Sequence, residues 1–254
     1  LDAPAPAALT VVCEGRRSST RDELGVNFEV LPYQQHAVAA RVRGSIAHRQ
    51  QALQWFAHHG KGLEILALLP MGGVHGDTAG LVWSLPPERA QEMLALDAQA
   101  FAQALEAASH GVLGQLELIS ERAMWPLQLA RAERWTGTFA DGSAWALAGD
   151  AAHNIHPLAG LGLSLGLADV AELAQVLQAR DGQDYWRSVG DRYFLRRYER
   201  ARKAHMLPTW AACDGLQRLF AHPHVSVQAL RNWGMNGFNN LSAIKRWTMQ
   251  QAMN

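Results

Sequence analysis

A carboxylate and several glycines stand where an apolar strand gives way to a helix. Residues 145–148 are apolar and predict the end of a buried strand, which Gly149 and Asp150 interrupt. From residue 163 onward apolar side chains recur at helical spacing. Between strand and helix lie His153, His156, Pro157, Gly160 and Gly162, and Gly166 follows in the first turn of the helix. The order strand, carboxylate, glycine-rich loop and helix predicts a place where a ligand can approach the backbone.

Each part of this stretch has a chemical use. Glycines supply positive φ and let a backbone come close to a ligand. Free N–H groups at a first helical turn attract negative charge, as does the helix macrodipole. Asp150 can accept a hydrogen bond from a ligand hydroxyl. On spacing alone, a structural strand–turn–helix with Asp150 as a cap stays open, because the pattern is GxGxxxG and not the dinucleotide fingerprint GxGxxG.

The residues of the stretch resemble the second flavin motif of the class A flavoprotein aromatic hydroxylases, and most closely that of the ubiquinone-biosynthesis hydroxylases. The resemblance implies FAD as cofactor, with Asp150 holding a ribityl hydroxyl and Pro157 beside the isoalloxazine ring. Backbone N–H groups from Gly160 to Ser164 would serve the pyrimidine end of the flavin. The flavin-binding residues so implied are Gly149, Asp150, Pro157, Gly160, Gly162, Leu163 and Ser164. Leu161 and Ser164 stand where a long polar residue and Asn are more usual in that family.

A second segment near the N-terminus resembles the middle motif of the same family. Gly15, Ser18 and Arg21 match it, whereas Glu14 replaces the usual Asp. The resemblance implies that Gly15 and Arg21 lie near the flavin pyrophosphate and the approach of the nicotinamide, with NAD(P)H as co-substrate. Taken alone, the segment favours a solvated basic turn after a strand; together with Gly149 and Asp150 downstream, it favours the motif.

Composition narrows the class of protein. The 254 residues carry 23 basic and 23 acidic side chains, and this zero net charge gives no case for nucleic-acid binding. Cys13 and Cys213 are far apart, so neither a disulfide framework nor a metal site is expected. The sequence has no signal peptide and no apolar run long enough to span a membrane. We therefore expect a cytoplasmic protein, with peripheral contact at the inner membrane left open.

The periodicity predicts a mixed α/β (α+β) fold. Strands are expected at 8–13, 33–43, 62–71, 81–85, 116–119, 125–131 and 145–148. Residues 48–56 suggest a short helix or turn, and residues 88–110 and 183–222 suggest helices. The apolar positions of the helix after the glycine-rich loop are Leu163, Leu167, Val170, Leu173, Ala174 and Leu177.

The resemblance divides the chain into four parts. Residues 1–30 and 135–180 would be the remnant of a Rossmann-like FAD/NAD(P)-binding domain, and residues 31–134 a mixed or antiparallel substrate-binding sheet. Residues 181–254 would form a C-terminal helical region. The sequence contains no GxGxxG segment, so we expect an N-terminally incomplete chain that does not hold FAD tightly alone.

The sequence gives fewer indications of the substrate-binding residues and of the partners. Trp83, Trp125 and His156 are candidates for the substrate cavity, and ordinary core packing is the alternative for the tryptophans. His153 and His156 lie in a polar loop over residues 151–157 that should face the flavin, and a structural role in that loop is their alternative. No side chain can be assigned as a general base. The basic residues of the predicted helix over residues 183–222 indicate either contact with a partner or an anionic membrane surface, or a solvated helix face. They are Arg187, Arg192, Arg196, Arg197, Arg200, Arg202 and Lys203. Residues 207–220 suit a packing or oligomer helix.

Two functions follow from these observations. The first is a FAD-dependent hydroxylase that uses NAD(P)H and O₂ to oxygenate an aromatic, polyprenylated ubiquinone precursor. The second is a non-catalytic, flavin-free protein that binds quinone precursors or acts as a scaffold for sister hydroxylases. The reading frame upstream of Leu1 would discriminate between them.

Overall fold

Two β-sheets carry the helices in a computed structural model that describes residues 7–59, 62–72, 75–155, 160–181 and 187–221. The strands are β1 (Leu9–Val12), β2 (Phe28–Gly44), β3 (Leu53–His59), β4 (Gly62–Pro70), β5 (Thr78–Leu85), β6 (Leu116–Leu118), β7 (Ala123–Ala132), β8 (Thr136–Thr138), β9 (Ala144–Leu147) and β10 (His153–Asn154). The helices are α1 (Ser19–Glu23), α2 (Pro87–Ala95), α3 (Ala98–Ala108), α4 (Gly162–Asp181) and α5 (Arg192–Ala221).

The small sheet has the order β1-β9-β8, with β1 parallel and β8 antiparallel to β9. All four residues of β9 are buried, which explains their continuous apolar run. The first hydrophobic core gathers around this sheet and the helices α4 and α5. Its largest fully buried side chains are Trp135, Trp145, Phe194 and Tyr198.

The large sheet has seven strands along the order β10-β7-β2-β5-β4-β3, with β6 paired to β2. Every pairing in it is antiparallel. Helices α2 and α3 cover one face, where a second core includes Val38, Leu81, Trp83 and Phe101. This sheet and the small one confirm the predicted mixed α/β architecture, and all seven predicted strands are present.

Two predicted elements are wrong. Residues 53–59 form strand β3 where a short helix or turn was expected, because they pair with β4 along its length. Trp55 packs into the second core and Phe56 against Leu63 and Ile65, so neighbouring side chains point to opposite faces. The single helix expected over residues 88–110 is two helices, because Asp97 caps a new start by accepting a hydrogen bond from the Ala100 amide at 2.8 Å.

The apolar face predicted for α4 is also only partly buried. Leu163, Leu167 and Val170 are exposed at 77%, 60% and 52%, whereas Leu173 and Val176 enter the first core. The helix is therefore rotated so that its N-terminal apolar residues face outward. The loop expected over residues 151–157 contains β10, which pairs with β7 and joins this stretch to the large sheet.

Candidate functional site

Asp150 is presented on a short turn directly after the buried strand β9. The chain passes from β9 into a single 3-10 turn, Gly149–Ala151, in which Gly149 has φ +60°. A side chain at that φ is strained, so glycine is suited to this position. The Asp150 side chain is exposed, and the Asn154 amide donates a hydrogen bond to its Oδ2 atom at 3.4 Å. The carboxylate is thus oriented by a neighbour and remains open to a ligand.

A cavity of about 600 Å³ lies beside this carboxylate. It is lined by residues of the glycine-rich loop, the start of α4, the N-terminal motif and strand β7: Arg16, Trp125, Pro126, Leu127, Gly149, Asp150, Asn154, Ile155, Gly160, Gly162, Leu163 and Gly166. The cavity therefore lies between the small sheet with its helices and the edge of the large sheet.

The glycines of the loop leave the backbone uncovered. Gly160 has φ +65°, and no described atom lies within 4 Å of where a Cβ would stand on Gly160 or Gly162. Gly162 is also the first residue of α4, where helix N–H groups have no partner within the helix. Space for a ligand and free backbone donors therefore coincide at one end of the cavity.

The N-terminal motif packs against the Asp150 turn. Arg21 is only 4% exposed, and its Nη1 atom donates hydrogen bonds to the carbonyls of Ala151 at 3.3 Å and Arg16 at 3.1 Å. Its guanidinium also lies 3.7 Å from the centre of the Phe28 ring. Arg21 thus stabilises the turn from the side away from the cavity, whereas Arg16, whose carbonyl Arg21 bonds, lines the cavity.

Glu14, the atypical residue of this motif, is fully engaged by its own turn. Its carboxylate accepts hydrogen bonds from the Thr20 hydroxyl at 2.6 Å, the Ser18 hydroxyl at 2.8 Å and the Thr20 amide at 3.1 Å. These bonds hold the pKa of Glu14 below its ordinary value, the Thr20 hydroxyl contributing most. Gly15 follows at φ +81° and turns the chain.

The candidate substrate residues do not share one cavity. Cross-strand partners point to the same face of a sheet, and Trp125 is paired with Ala37 whereas Trp83 is paired with Val38. Trp125 lines the cavity beside Asp150, and Trp83 is buried near Phe101 under α3. Trp83 lines a separate hollow of about 370 Å³ on the opposite face. His156 and Pro157 lie outside the described residues.

His153 is turned away from the cavity, contrary to the expectation that it faces the flavin. It is 2% exposed, its ring stacks on Trp135, and its Nε2 atom lies 2.6 Å from Asp169 Oδ2. Arg202, predicted on a basic surface of its helix, is instead buried at 4% exposure because its guanidinium bonds the buried Asp169 carboxylate. Sequence reasoning assigned no role to Asn154 or to the Asp169 side chain. Asp169 precedes Leu173 and Val176 by four and seven residues and so shares the buried face of α4, a face that the periodicity of the helix alone did not identify.

The residues of the cavity suit the central part of a flavin. An exposed carboxylate matches a polyol hydroxyl, and free amides at a helix start match the pyrimidine edge of the ring, which gains negative charge on reduction. Among the described residues, no group of histidine, cysteine and carboxylate side chains could hold a metal ion. No described helix is both long and apolar enough to cross a membrane.

The cavity is compatible with a flavin, and the class of protein is shown by comparison with known proteins. The chain belongs to the FAD binding domain family, whose model matches residues 6–207. It is 34% identical over 97% of its length to the ubiquinone hydroxylase UbiL of Rhodospirillum rubrum, and 29% identical over 95% to the ubiquinone biosynthesis monooxygenase COQ6 of Caenorhabditis elegans. The matched regions make up 54% and 59% of those two proteins, so the chain spans little more than half their length.

Solved structures show the same fold. The p-nitrophenol 4-monooxygenase PnpA of Pseudomonas putida superimposes with a TM-score of 0.69 over 96% of this chain and 58% of its own, at 18% identity. Aklavinone-11 hydroxylase, solved with FAD and aklavinone, gives a TM-score of 0.62 over 84% of this chain and 38% of its own, at 22% identity.

Proposed function

We propose that this chain supplies the ribityl- and ring-binding part of a FAD-dependent aromatic-ring hydroxylase. The reaction would use NAD(P)H and O₂ to place a hydroxyl group on an aromatic, polyprenylated ubiquinone precursor. The names of the relatives support this substrate class, since both are ubiquinone-pathway enzymes.

One observation carries the proposal. The exposed Asp150 carboxylate, the bare backbone of Gly160 and Gly162, and Trp125 of the large sheet all line one cavity. A polyol, a flat ring with an anionic edge and an aromatic substrate each need one of these three surfaces. Their coincidence favours a flavin with an aromatic partner over a structural turn.

The residues have separable tasks in this proposal. When bound, FAD would accept hydride from NAD(P)H and activate O₂. Asp150 accepts a hydrogen bond from a ribityl hydroxyl, and the first amides of α4 bond the pyrimidine edge. Trp125 and Leu127 present an apolar wall that excludes water from the reacting ring. Gly15 and Arg21 shape and support the turn on the pyrophosphate side.

The test is expression of the whole reading frame that contains this chain, beside the 254-residue chain itself. We expect the longer protein to be purified with bound flavin, to oxidise NAD(P)H and to add one oxygen atom to a prenylated phenol, detected by mass spectrometry. The short chain should bind FAD weakly. Tight stoichiometric FAD in the short chain would refute the expectation that part of the site lies elsewhere.

The alternative, a flavin-free binding protein, predicts a different outcome of the same experiment. A protein whose reading frame holds no GxGxxG segment, and which binds the prenylated phenol without flavin or oxidation, would be such a protein. That result would overturn the hydroxylase proposal.

We also propose that the basic face of α5 makes peripheral contact with an anionic membrane surface. Arg192, Arg196 and Arg200 are exposed at intervals of four residues, and Tyr193 and Leu207 are exposed at 59% and 61%. Exposed arginines with interspersed apolar side chains suit an interfacial helix. Co-sedimentation with vesicles containing anionic lipid, and not with neutral vesicles, is expected; equal recovery with both would indicate a solvated face.

A further inference from the structure

A buried ionic cluster lies directly under the turn that carries Asp150. Asp169 of α4 is 0% exposed, and its Oδ1 atom accepts a hydrogen bond from Arg202 Nε of α5 at 2.6 Å. Its Oδ2 atom accepts one from the Gly149 amide at 2.8 Å and lies 2.6 Å from His153 Nε2. Arg202 is itself only 4% exposed. The proposed function assigns no task to this cluster.

The cluster joins the two flavin-contacting surfaces. Through the Gly149 amide, Asp169 fixes the turn that presents Asp150. Through Arg202, whose Nη2 atom donates to the Leu165 carbonyl at 3.1 Å, the same carboxylate is connected to the first turns of α4. The turn and the helix also meet directly, since a Cβ on Gly166 would lie 3.4 Å from Gly149 Cα. One side chain therefore connects the ribityl side to the ring side.

We infer that Asp169 is a positioning residue that sets the distance between the Asp150 carboxylate and the amide donors at the start of α4. This inference rests on the proposed function. Asp169 would not touch the flavin and would act through Gly149 and Leu165. Because α4 carries both Asp169 and the amide donors, and Asp169 bonds the turn that presents Asp150, a small shift of α4 against the turn would change both flavin contacts together.

Aspartate is the side chain whose chemistry meets this arrangement. Both of its oxygens accept, one from Arg202 and the other from Gly149. Asparagine has the same shape but only one acceptor oxygen, and its NH₂ group must then face a donor on one side. Either the Gly149 amide or the Arg202 guanidinium loses its partner, and buried groups without partners force the structure to move.

The experiment compares flavin binding by the wild type and by Asp169→Asn in the protein encoded by the whole reading frame. Riboflavin is the probe, since it contains the ribityl chain and the ring but no adenosine part. We expect the Kd for riboflavin to rise at least tenfold in Asp169→Asn, and the visible circular dichroism of the bound flavin to change. Arg202→Lys keeps the charge but cannot reproduce both bonds of the guanidinium, so a severalfold rise is expected there.

A matched control separates positioning from general stability. Arg122 bonds the carbonyls of Met93 at 2.8 Å and Leu96 at 2.7 Å in the other half of the molecule. Arg122→Met should lower Tm while leaving the Kd for riboflavin and the flavin spectrum unchanged. If Asp169→Asn does not fold, the Kd of Arg202→Lys for riboflavin decides between a positioning role and a purely stabilising role.

The outcomes distinguish this inference from the proposed function. Suppose that Asp150→Ala weakens riboflavin binding but folded Asp169→Asn binds riboflavin like the wild type. That result would overturn the positioning role alone. If Asp169→Asn does not fold, an unchanged Kd in Arg202→Lys would do the same. An absence of riboflavin binding in the wild type would overturn the proposed function and this inference with it.

Discussion

Both sides of the molecule have an apolar core, but only the small-sheet side adds a buried ionic cluster to it. Around the small sheet, the buried side chains Arg21, His153, Asp169 and Arg202 make directional bonds to a single turn and to each other. Around the large sheet, Trp83 and Phe101 pack with aliphatic side chains under α2 and α3. Charge-assisted hydrogen bonds depend on a particular geometry, whereas apolar packing tolerates substitutions of similar volume. The ionic side is therefore the one suited to hold a cofactor in place.

Phe101→Ala should have the largest effect on stability and none on the cofactor site. Phe101 is fully buried in α3, and emptying such a position costs about 4 kcal/mol in the free energy of unfolding. Chemical denaturation measures the loss, and riboflavin titration below the transition checks the site. A weakened flavin affinity in the folded variant would show that the two sides are not independent.

Arg202→Met should cost about 3 kcal/mol and also damage flavin binding. It leaves the buried Asp169 carboxylate without its ion pair at 2.6 Å, and removing one partner of a buried pair is strongly destabilising. Chemical denaturation measures the loss of stability, and riboflavin titration measures flavin binding. A loss of stability without any change in flavin affinity would show that the ion pair, like the apolar core, contributes to stability only.

Gly149→Ala tests the turn itself, with Gly142→Ala as the matched control. Both glycines have positive φ, +60° and +85°, and a Cβ meets no close contact at either, so each change should cost about 1–2 kcal/mol. Only Gly149→Ala alters the turn beside the cavity, and only it should weaken riboflavin binding. Equal flavin affinities in the two variants would contradict this assignment.

The smallest effect concerns acid stability through Glu14. Its pKa is lowered in the folded state, so its bonds stabilise the protein above the unfolded-state pKa of about 4.3, and this contribution is lost as the pH falls through the folded pKa. Glu14→Gln should therefore flatten the decline in stability below about pH 4. Thermal unfolding at a series of pH values measures the slope, and an unchanged slope would contradict it.

The strands and the glycine-rich turn could be predicted because each follows from local pattern. Residues 145–148 are apolar throughout and end at Gly149, and the structure has a buried strand and a positive φ there. Strand β3 could not be predicted, because residues 53–59 become a strand by pairing with β4. The outward turn of Leu163 likewise depends on how α4 packs, and not on its own periodicity.

The motif of the candidate site could be predicted from the sequence, but the contacts that hold the motif in place could not. Asp150 was identified from its place after the strand, and the structure leaves it exposed beside a cavity. The contacts of Arg21 with Ala151 and of Arg202 with Asp169 join residues 130 and 33 positions apart. Spacing along the chain carries no signal for such distant pairs, so the contact of Arg21 with the Asp150 turn could not be predicted.

Riboflavin titration of the wild type and Asp150→Ala, followed by flavin fluorescence, tests the central claim most directly. A charge-assisted hydrogen bond contributes about 1.5–3 kcal/mol, so the variant should bind about 10- to 100-fold more weakly. Asp141→Ala, which removes an exposed aspartate that bonds Ser143 in another turn, should bind like the wild type. Equal affinity for wild type and Asp150→Ala, or no binding by either, would contradict the assignment of this turn to a flavin.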